Sequence, residues 1–222
     1  MKIFRSLTYL FSSLALLTAT VLGCQSAVRK TMYSAYEVVG IEKRDLLKSR
    51  VDDARDEQKE AGESFKDALE RFKGLYSFDG GNLEKQYNKV KSSYDDAAGD
   101  AENVRESIKR MEVVAGDLFD EWEKEASKIE TSSLRAKSRE LLADTRKRYS
   151  SLHSSLKKSE ARMDPVLAKL NDQVLYLKHN LNAKAIGSLK GEADNIQKDI
   201  EKLLGDMNAS IAEADKFIAE LR

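Results

Sequence analysis

The sequence predicts an all-α protein: an elongated antiparallel helical bundle with coiled-coil packing, formed by four long helices. The 222 residues include one proline, and 34% of them are charged, as is usual in chains rich in long helices. Apolar residues recur at alternating spacings of three and four, which is the heptad pattern of coiled-coil packing. The alternative is a three-helix bundle whose last two segments form one longer, bent helix.

The first helix is predicted over residues 28–77, and its apolar seam includes one polar position, Gln58. A strong stop follows at Asp79-Gly80-Gly81-Asn82, because glycine permits a left-handed C-cap and Asn82 can cap the next helix. The apolar seam of this helix comprises Leu47, Val51, Ala54, Ala61, Phe65, Ala68, Phe72 and Leu75.

The second helix, predicted over 82–130, has the most regular pattern and keeps the heptad spacing for about six heptads. Thr131-Ser132-Ser133 then supplies N-cap candidates for the third helix. The seam of the second helix comprises Leu83, Tyr87, Val90, Tyr94, Ala97, Ala101, Val104, Ile108, Met111, Ala115, Leu118 and Trp122.

The third helix, predicted over 133–179, is less regular. Asp164 followed by Pro165 could begin a new helix, but the apolar repeat runs through this point, which favours one kinked, continuous helix. Polar side chains at seam positions weaken a core and can fix its register; here they are Ser138, Thr145, Arg148 and Ser159. The apolar seam comprises Leu134, Leu141, Leu152, Leu156, Met163, Leu167, Leu170, Val174, Leu177 and Leu181.

The fourth helix is predicted over 183–221, and its seam contains one four-four step, a stutter. Asn180 and Asn182 indicate a turn at 179–183, whereas Ala183, Gly187 and Gly191 would form a small-residue stripe if the helix were continuous. We favour the turn. The seam comprises Ile186, Leu189, Ala193, Ile196, Ile200, Leu203, Met207, Ile211, Ala214, Ile218 and Leu221.

The N-terminal segment has the layout of a bacterial export signal. Lys2 and Arg5 precede a mostly apolar run over residues 7–22, which is shorter than the ~20 residues of a membrane-spanning helix. Val21-Leu22-Gly23-Cys24 then resembles a lipobox, with cleavage between Gly23 and Cys24 and acylation of Cys24, the only cysteine. The alternatives are a short transmembrane anchor and an ordinary signal peptide cleaved elsewhere.

This interpretation divides the chain into three parts. Residues 1–23 are a lipoprotein signal peptide, 24–32 the lipidated N-terminus and tether, and 33–222 one helical-bundle domain. Gln25 follows the cysteine, and the absence of an aspartate there favours the outer membrane of a Gram-negative envelope, facing the periplasm. We therefore expect a palmitate-bearing lipoprotein held on a membrane surface.

Charge and motif content exclude several classes of function. The chain has 38 basic and 38 acidic side chains, so it offers no electrostatic basis for binding nucleic acid. His153 and His179 are the only histidines, and neither completes the Glu-x-x-His motif of di-iron bundles, because Ser150 and Tyr176 occupy the glutamate positions. No phosphate-binding loop is present. We expect no enzymatic activity, no cofactor, no metal site and no small-molecule substrate.

Two surfaces are candidates for interaction. The first, a partner surface, lies in a stretch that is apolar on more than one face, which indicates either burial or contact with another chain; it comprises Val174, Leu175, Tyr176, Leu177, His179 and Leu181. The second, a basic patch, could contact phosphate groups or an acidic partner, although pairing within the bundle is the simpler explanation; it comprises Arg146, Lys147, Arg148, Lys157 and Lys158.

Three stretches of sequence resemble a known family. They are Gly40-Ile41-Glu42-Lys43-Arg44-Asp45, Phe78-Asp79-Gly80-Gly81, and the segment from Tyr176 to Ala183. They are similar to the uncharacterised gammaproteobacterial lipoproteins grouped as domain of unknown function 2959, over essentially the whole mature chain. The resemblance implies an exported, lipid-anchored, all-helical protein and supplies no activity or catalytic residue.

The sequence thus predicts a non-enzymatic scaffold or interaction module of the cell envelope. Its expected partners are the membrane, through the lipid anchor, and either an envelope protein or a second copy of the chain. The rival hypothesis is a ligand-binding or enzymatic bundle with an inter-helix pocket lined by Trp122, Tyr149 and Tyr176, and a cavity of ~300 Å³ or more would favour it.

Overall fold

A computed structural model describes Tyr33, residues 42–77 and residues 82–221. By its internal contacts the chain divides into two units, Met1–Leu46 and Leu47–Arg222. In the first unit, Tyr33 is helical and buried, and the Lys43 ammonium lies 4.8 Å from the centre of its ring. The predicted signal peptide and tether lie outside the described residues, so these domain boundaries stay predictions.

The described residues form four α-helices and no strand. Helix α1 spans Lys43–Tyr76, α2 Leu83–Lys128, α3 Ser132–His179 and α4 Ala183–Glu220. The prediction of an all-α bundle of four long helices is confirmed, and the three-helix alternative is wrong, because α3 and α4 are separate helices. Helix α3 is continuous through Pro165, so Asp164 does not begin a new helix.

The prediction of one continuous helix over 28–77 is wrong, whereas its start at residue 28 lies outside the described residues. Glu42 is not helical, and α1 begins at Lys43. The carbonyl of Glu42 accepts the first helical hydrogen bond, from the Leu46 amide at 3.0 Å. In the sequence Gly40 comes shortly before this break, and glycine is a weak helix former.

Side-chain caps fix two of the helix starts. The Asn82 side chain accepts a hydrogen bond from the Lys85 amide at 2.9 Å, as predicted for this residue. The Asn182 side chain does the same for the Ala185 amide at 3.0 Å. Thr131 occupies the N-cap position of α3 without a side-chain capping bond; its carbonyl accepts from the Arg135 amide instead.

Within Leu47–Arg222, sequential helices run antiparallel. Helix α3 packs against α2 on one side and α4 on the other. Helix α1 contacts α2 through the Ser64 hydroxyl and Asp100, 2.5 Å apart, and α4 through Arg55 and Asp215, 3.1 Å apart. Helices α1 and α3 therefore lie diagonally across the bundle and run parallel.

The apolar seam fills the interior. Every apolar seam residue predicted for α1 is at most 1% exposed, and the α2 seam from Ala97 to Leu118 is buried as well, whereas Tyr94 is half-buried. Fully burying one such aliphatic or aromatic side chain contributes roughly 1.5–3 kcal/mol to the free energy of unfolding. Burial of this repeat is what holds the four helices together.

Part of the predicted seam of α3 is wrong. Leu134 and Leu141 are 58% and 47% exposed, and Leu181 is 38% exposed. Helix α4 ends at Glu220, which is level with Arg148 of α3 through their ion pair at 3.4 Å. Leu134 and Leu141 therefore lie on a part of α3 that α4 does not reach, and Leu181 lies in the turn that follows α3.

The predicted stutter in α4 is also wrong. Beyond Met207 the buried positions are Ser210, Ala214 and Phe217, whereas Ile211 and Ile218 are half-buried. The alternation of three and four therefore continues without interruption. Because Ser210 is polar, the sequence pattern did not reveal this alternation. The Ser210 hydroxyl is satisfied by donating to the Met207 carbonyl at 2.8 Å.

Two predicted polar seam residues meet at the centre of the bundle. Gln58 of α1 and Ser159 of α3 are both fully buried, and Gln58 Nε2 donates to Ser159 Oγ at 2.9 Å. Ser159 Oγ in turn donates to the Leu156 carbonyl at 2.9 Å. A slip of α1 against α3 would place the Gln58 amide against apolar neighbours, so this pair specifies one register.

Ser159→Ala should lower the free energy of unfolding by about 1–3 kcal/mol, because it leaves the buried Gln58 amide without its acceptor. Urea denaturation followed by circular dichroism at 222 nm measures the change. Ser210→Ala is the matched control: it also removes a buried serine hydroxyl, but one that bonds only to its own helix. Equal losses for the two variants would contradict a stabilising role for the cross-bundle bond.

Alkaline pH should destabilise the bundle in part through Tyr76. This residue of α1 is 7% exposed and donates to Gln173 Oε1 of α3. Burial raises its pKa from 10 to about 12. Because the folded protein favours the neutral phenol, the contribution of Tyr76 to stability is complete below pH 10 and is lost as pH rises from 10 towards 12.

Tyr76→Phe should therefore flatten the dependence of the urea midpoint on pH over this alkaline range. The same variant should cost roughly 1 kcal/mol at neutral pH, since the Gln173 oxygen loses its donor. Parallel curves for the two proteins between pH 10 and pH 12 would contradict the raised pKa of Tyr76.

Candidate functional site

The turn between α3 and α4 is held by two asparagines. The Asn180 amide donates to the Leu177 carbonyl at 3.0 Å, and its side chain donates to the Tyr176 carbonyl at 2.9 Å. Asn182 caps α4, and its amide donates to the Asn180 carbonyl at 2.8 Å. These bonds satisfy polar groups that a helix terminus leaves open. The predicted turn at 179–183 is therefore confirmed.

The predicted partner surface divides between core and solvent. Val174 and Leu177 are 5% and 0% exposed, so including them in a contact surface was wrong. Residues three apart share one face of a helix, and this face of α3 packs into the bundle. The remaining members are exposed: Leu175, Tyr176, His179 and Leu181.

Lysines surround these exposed apolar residues. We define the turn surface as Leu175, Tyr176, Lys178, Leu181 and Lys184. Both lysines are exposed, and within the described part of the chain neither has an ion-pair partner. Between Asp172 and Glu192 the sequence contains no acidic residue. The turn surface is therefore apolar and positively charged, and the acid-free stretch is the sequence signal that the prediction missed.

The predicted basic patch is largely neutralised by neighbouring helices. Arg146 lies 3.3 Å from Glu123 of α2 and places its guanidinium over the Phe119 ring. Arg148 pairs with Glu220 at 3.4 Å, and Lys158 pairs with Asp206 at 2.9 Å, both on α4. Lys157 pairs with Glu160 on its own helix. Pairing with acids on neighbouring helices, the simpler explanation for the patch, is thus found for Arg146, Arg148 and Lys158, whereas Lys157 pairs within α3.

Lys147 is the exception, since no described residue pairs with it. It borders a surface groove of about 380 Å³ between α3 and α4. Phe217 lies in the groove, which carries charges of both signs. The lining residues are Asp144, Lys147, Arg148, Ser151, Glu213, Lys216, Phe217 and Glu220.

The three aromatic residues expected to line an inter-helix pocket do not converge. Trp122 donates its indole Nε1–H to Ser138 Oγ at 3.0 Å. Tyr149 packs between Phe119 and Phe217, with ring centres at 5.5 and 6.2 Å. Tyr176 lies 27 positions farther along α3, roughly 40 Å away at 1.5 Å per residue. None of the three lines the surface groove.

A pair that the sequence analysis did not single out joins α2 and α3. His153 Nε2 lies 2.6 Å from Glu112 Oε1, and the His153 ring stacks on Tyr149 with centres 5.9 Å apart. Burial, with a smaller effect from Glu112, raises the pKa of the Tyr149 phenol. No sequence motif marked this cluster, because its members come from different helices, 41 residues apart in the case of His153 and Glu112.

Metal sites and membrane-spanning helices can be assessed only in the described part of the chain. There, no group of three or more histidine, cysteine, aspartate or glutamate side chains is arranged to hold a metal ion. Likewise, none of the described helices is long and apolar enough to cross a membrane. Gly23 and Cys24 lie outside the described residues, so cleavage and acylation there stay predictions.

The comparison with known proteins agrees with the resemblance in the sequence. No protein of curated function matches the chain significantly. A family model described as protein of unknown function, DUF2959, matches residues 32–221, which include all four helices. The chain therefore belongs to the DUF2959 family of proteins of unknown function.

Proposed function

We propose that this protein is a non-enzymatic lipoprotein of the cell envelope that acts as a coiled-coil scaffold or interaction module. It is anchored through acylated Cys24 on the periplasmic side of the outer membrane. The observation that carries the proposal is the closed bundle core: α1 to α4 bury a continuous apolar seam, and their charged side chains face outward. Such a core suits a stable spacer better than an enclosed catalytic site.

The anchor follows from the N-terminal sequence. An apolar leader ends in Val21-Leu22-Gly23-Cys24, and acylation at such a cysteine adds about 0.8 kcal/mol of membrane affinity per buried methylene. Two or more acyl chains on one N-terminus hold a protein on a membrane stably. The bundle beyond Leu47 then needs no spanning helix to stay at the membrane.

The contact surface of the module is the turn surface, with His179 beside it. Its apolar side chains are exposed at 51% for Leu175, 40% for Tyr176 and 38% for Leu181. On the long faces of the bundle, ion pairs such as Lys158–Asp206 join neighbouring helices and so serve the bundle itself. The turn surface therefore offers what a partner would use, whether that partner is an envelope component or a second copy.

The alternative, a ligand-binding or enzymatic bundle, has the groove beside Lys147 as its strongest support. At about 380 Å³ the groove is large enough for a small ligand. It lies on the surface, however, and two of its side chains already pair with each other, Arg148 with Glu220. Ligand sites are usually enclosed and mostly apolar, so the groove supports this alternative less well than the closed core supports a scaffold.

Cys24→Ala should release the protein from membranes into the soluble periplasmic fraction, because the variant lacks the thiol that would be acylated. Membrane fractionation with detection of the protein measures this change. Gln25→Ala is the matched control and should stay with the membrane. Cys24→Ala protein that has lost its leader and still fractionates wholly with membranes would contradict the lipid anchor.

Gln25→Asp tests the choice of membrane separately. In a host that uses aspartate after the cysteine as an inner-membrane retention signal, this variant should move from the outer-membrane to the inner-membrane fraction on a sucrose gradient. Wild-type protein already in the inner-membrane fraction would contradict the proposed location without affecting the anchor.

A further inference from the structure

We propose that the turn surface docks on a bilayer that carries anionic phospholipids. The inference deepens the proposed function and rests on it, because it names what the turn surface of an envelope protein contacts. The occupant is a lipid headgroup surface, and a protein partner at this site is an outcome that the experiment below would reveal.

Exposed apolar side chains are concentrated at this turn. Among the described residues six large apolar side chains are exposed, and three of them are Leu175, Tyr176 and Leu181. These three lie within seven consecutive positions, whereas Val113 and the pair Leu134 and Leu141 are distributed over two other helix faces. Leaving such side chains in water is unfavourable, and a contiguous exposed group marks an interaction site.

The apolar residues share one side of α3. At 100° per residue, Leu175, Tyr176 and His179 fall on the arc opposite Val174 and Leu177, which face the core. Lys178 lies between this arc and the core-facing side, and the exposed Asp172, one turn earlier, falls on the arc. A leucine and a tyrosine beside lysines form the composition that lies at membrane–water interfaces, since the tyrosine ring is apolar with a polar tip.

The charge of the segment around the α3–α4 turn complements an anionic surface. From Gln173 to Gly191 the sequence has three lysines, Lys178, Lys184 and Lys190, and no acid. None of the described residues forms an ion pair with these lysines, in contrast to Lys158 and Lys169 in the middle of α3, which pair with acids of α4. Lysines near an anionic membrane surface are attracted to it, and their contributions add up.

The size of the turn surface favours lipid over protein. A stable protein interface buries about 800 Å² on each partner and contains a central apolar cluster with a polar rim. Three partly exposed apolar side chains provide only a fraction of that area. A headgroup layer needs no shape complementarity, because lipids rearrange around a few inserted side chains while the lysines contact phosphate groups.

The test places a fluorophore in the turn surface of the acylated protein. Leu181→Cys is labelled with the environment-sensitive dye NBD, which keeps an apolar group at this position. The labelled protein is reconstituted into vesicles of phosphatidylcholine alone or with phosphatidylglycerol. We expect the NBD emission to shift to the blue and to become at least about twofold brighter only with phosphatidylglycerol, and added salt should reverse the change.

Three further variants isolate the site. The same dye at Val113→Cys, an exposed apolar position of α2, should show no response to phosphatidylglycerol. Lys178→Glu with Lys184→Glu should abolish the response at position 181. Lys147→Glu with Lys216→Glu changes the net charge equally at two exposed lysines away from the turn and should leave the response intact.

The outcomes separate this inference from the proposed function. Docking on lipid is overturned if position 181 gives no response. It is also overturned if the Val113 probe or the Lys178→Glu/Lys184→Glu protein responds equally. A protein is then left as the occupant of the turn surface. Under the proposed function the parent protein has no free thiol, so it should take up no dye. Dye uptake by the parent protein would contradict acylation of Cys24. The docking result would still be decided by comparing the labelled variants with one another.

Discussion

The fold depends on keeping one continuous apolar seam out of water. Each helix of the described chain presents this seam on one side only, so none can bury it alone, and four helices side by side close it. Burial at roughly 25 cal/mol per Å² of apolar surface supplies the driving force but does not choose an alignment. Uniform apolar seams permit several registers. The Gln58–Ser159 bond, fully buried at 2.9 Å, and the buried Tyr76–Gln173 bond between the same two helices distinguish one alignment from its neighbours.

The ion pairs of the surface follow from that alignment rather than determine it. Exposed pairs are each worth about 0–1 kcal/mol, so pairs such as Lys169–Asp199 and Arg148–Glu220 add little stability individually. They do neutralise the long faces of the bundle. The lysines of the α3–α4 turn, which lack such partners among the described residues, therefore differ from the basic patch, in which only Lys147 is unpaired with any described residue.

The presence of the helices and most of the core could be predicted from the sequence, because both depend on local periodicity. The α1 seam and the central α2 seam required only the recurrence of apolar residues, and Asn82 and Asn182 are recognisable caps. The errors have physical causes that periodicity does not contain. Leu134 and Leu141 continue the repeat of α3, but the length of a different helix, α4, decides whether they are covered.

The candidate site shows the same division between local and tertiary information. Val174 and Leu177 could not be separated from Leu175 and Tyr176 by composition, since all four are large and suited to burial. Only the rotation of α3 against its neighbours separates them. In α4, Ser210 obscured an unbroken heptad, because a serine that bonds to its own helix carbonyl is tolerated in a core. The His153–Glu112 pair joins residues that the sequence does not connect.

The position of the single tryptophan has a practical consequence. Trp122 is the only indole in the chain, and its ring bridges α2 and α3 through Ser138 at 3.0 Å, near the connection between these two helices. Intrinsic fluorescence therefore monitors one hairpin, whereas ellipticity averages over every helical turn. Disagreement between the two signals during denaturation would expose stepwise melting, in which this hairpin separates independently of the rest.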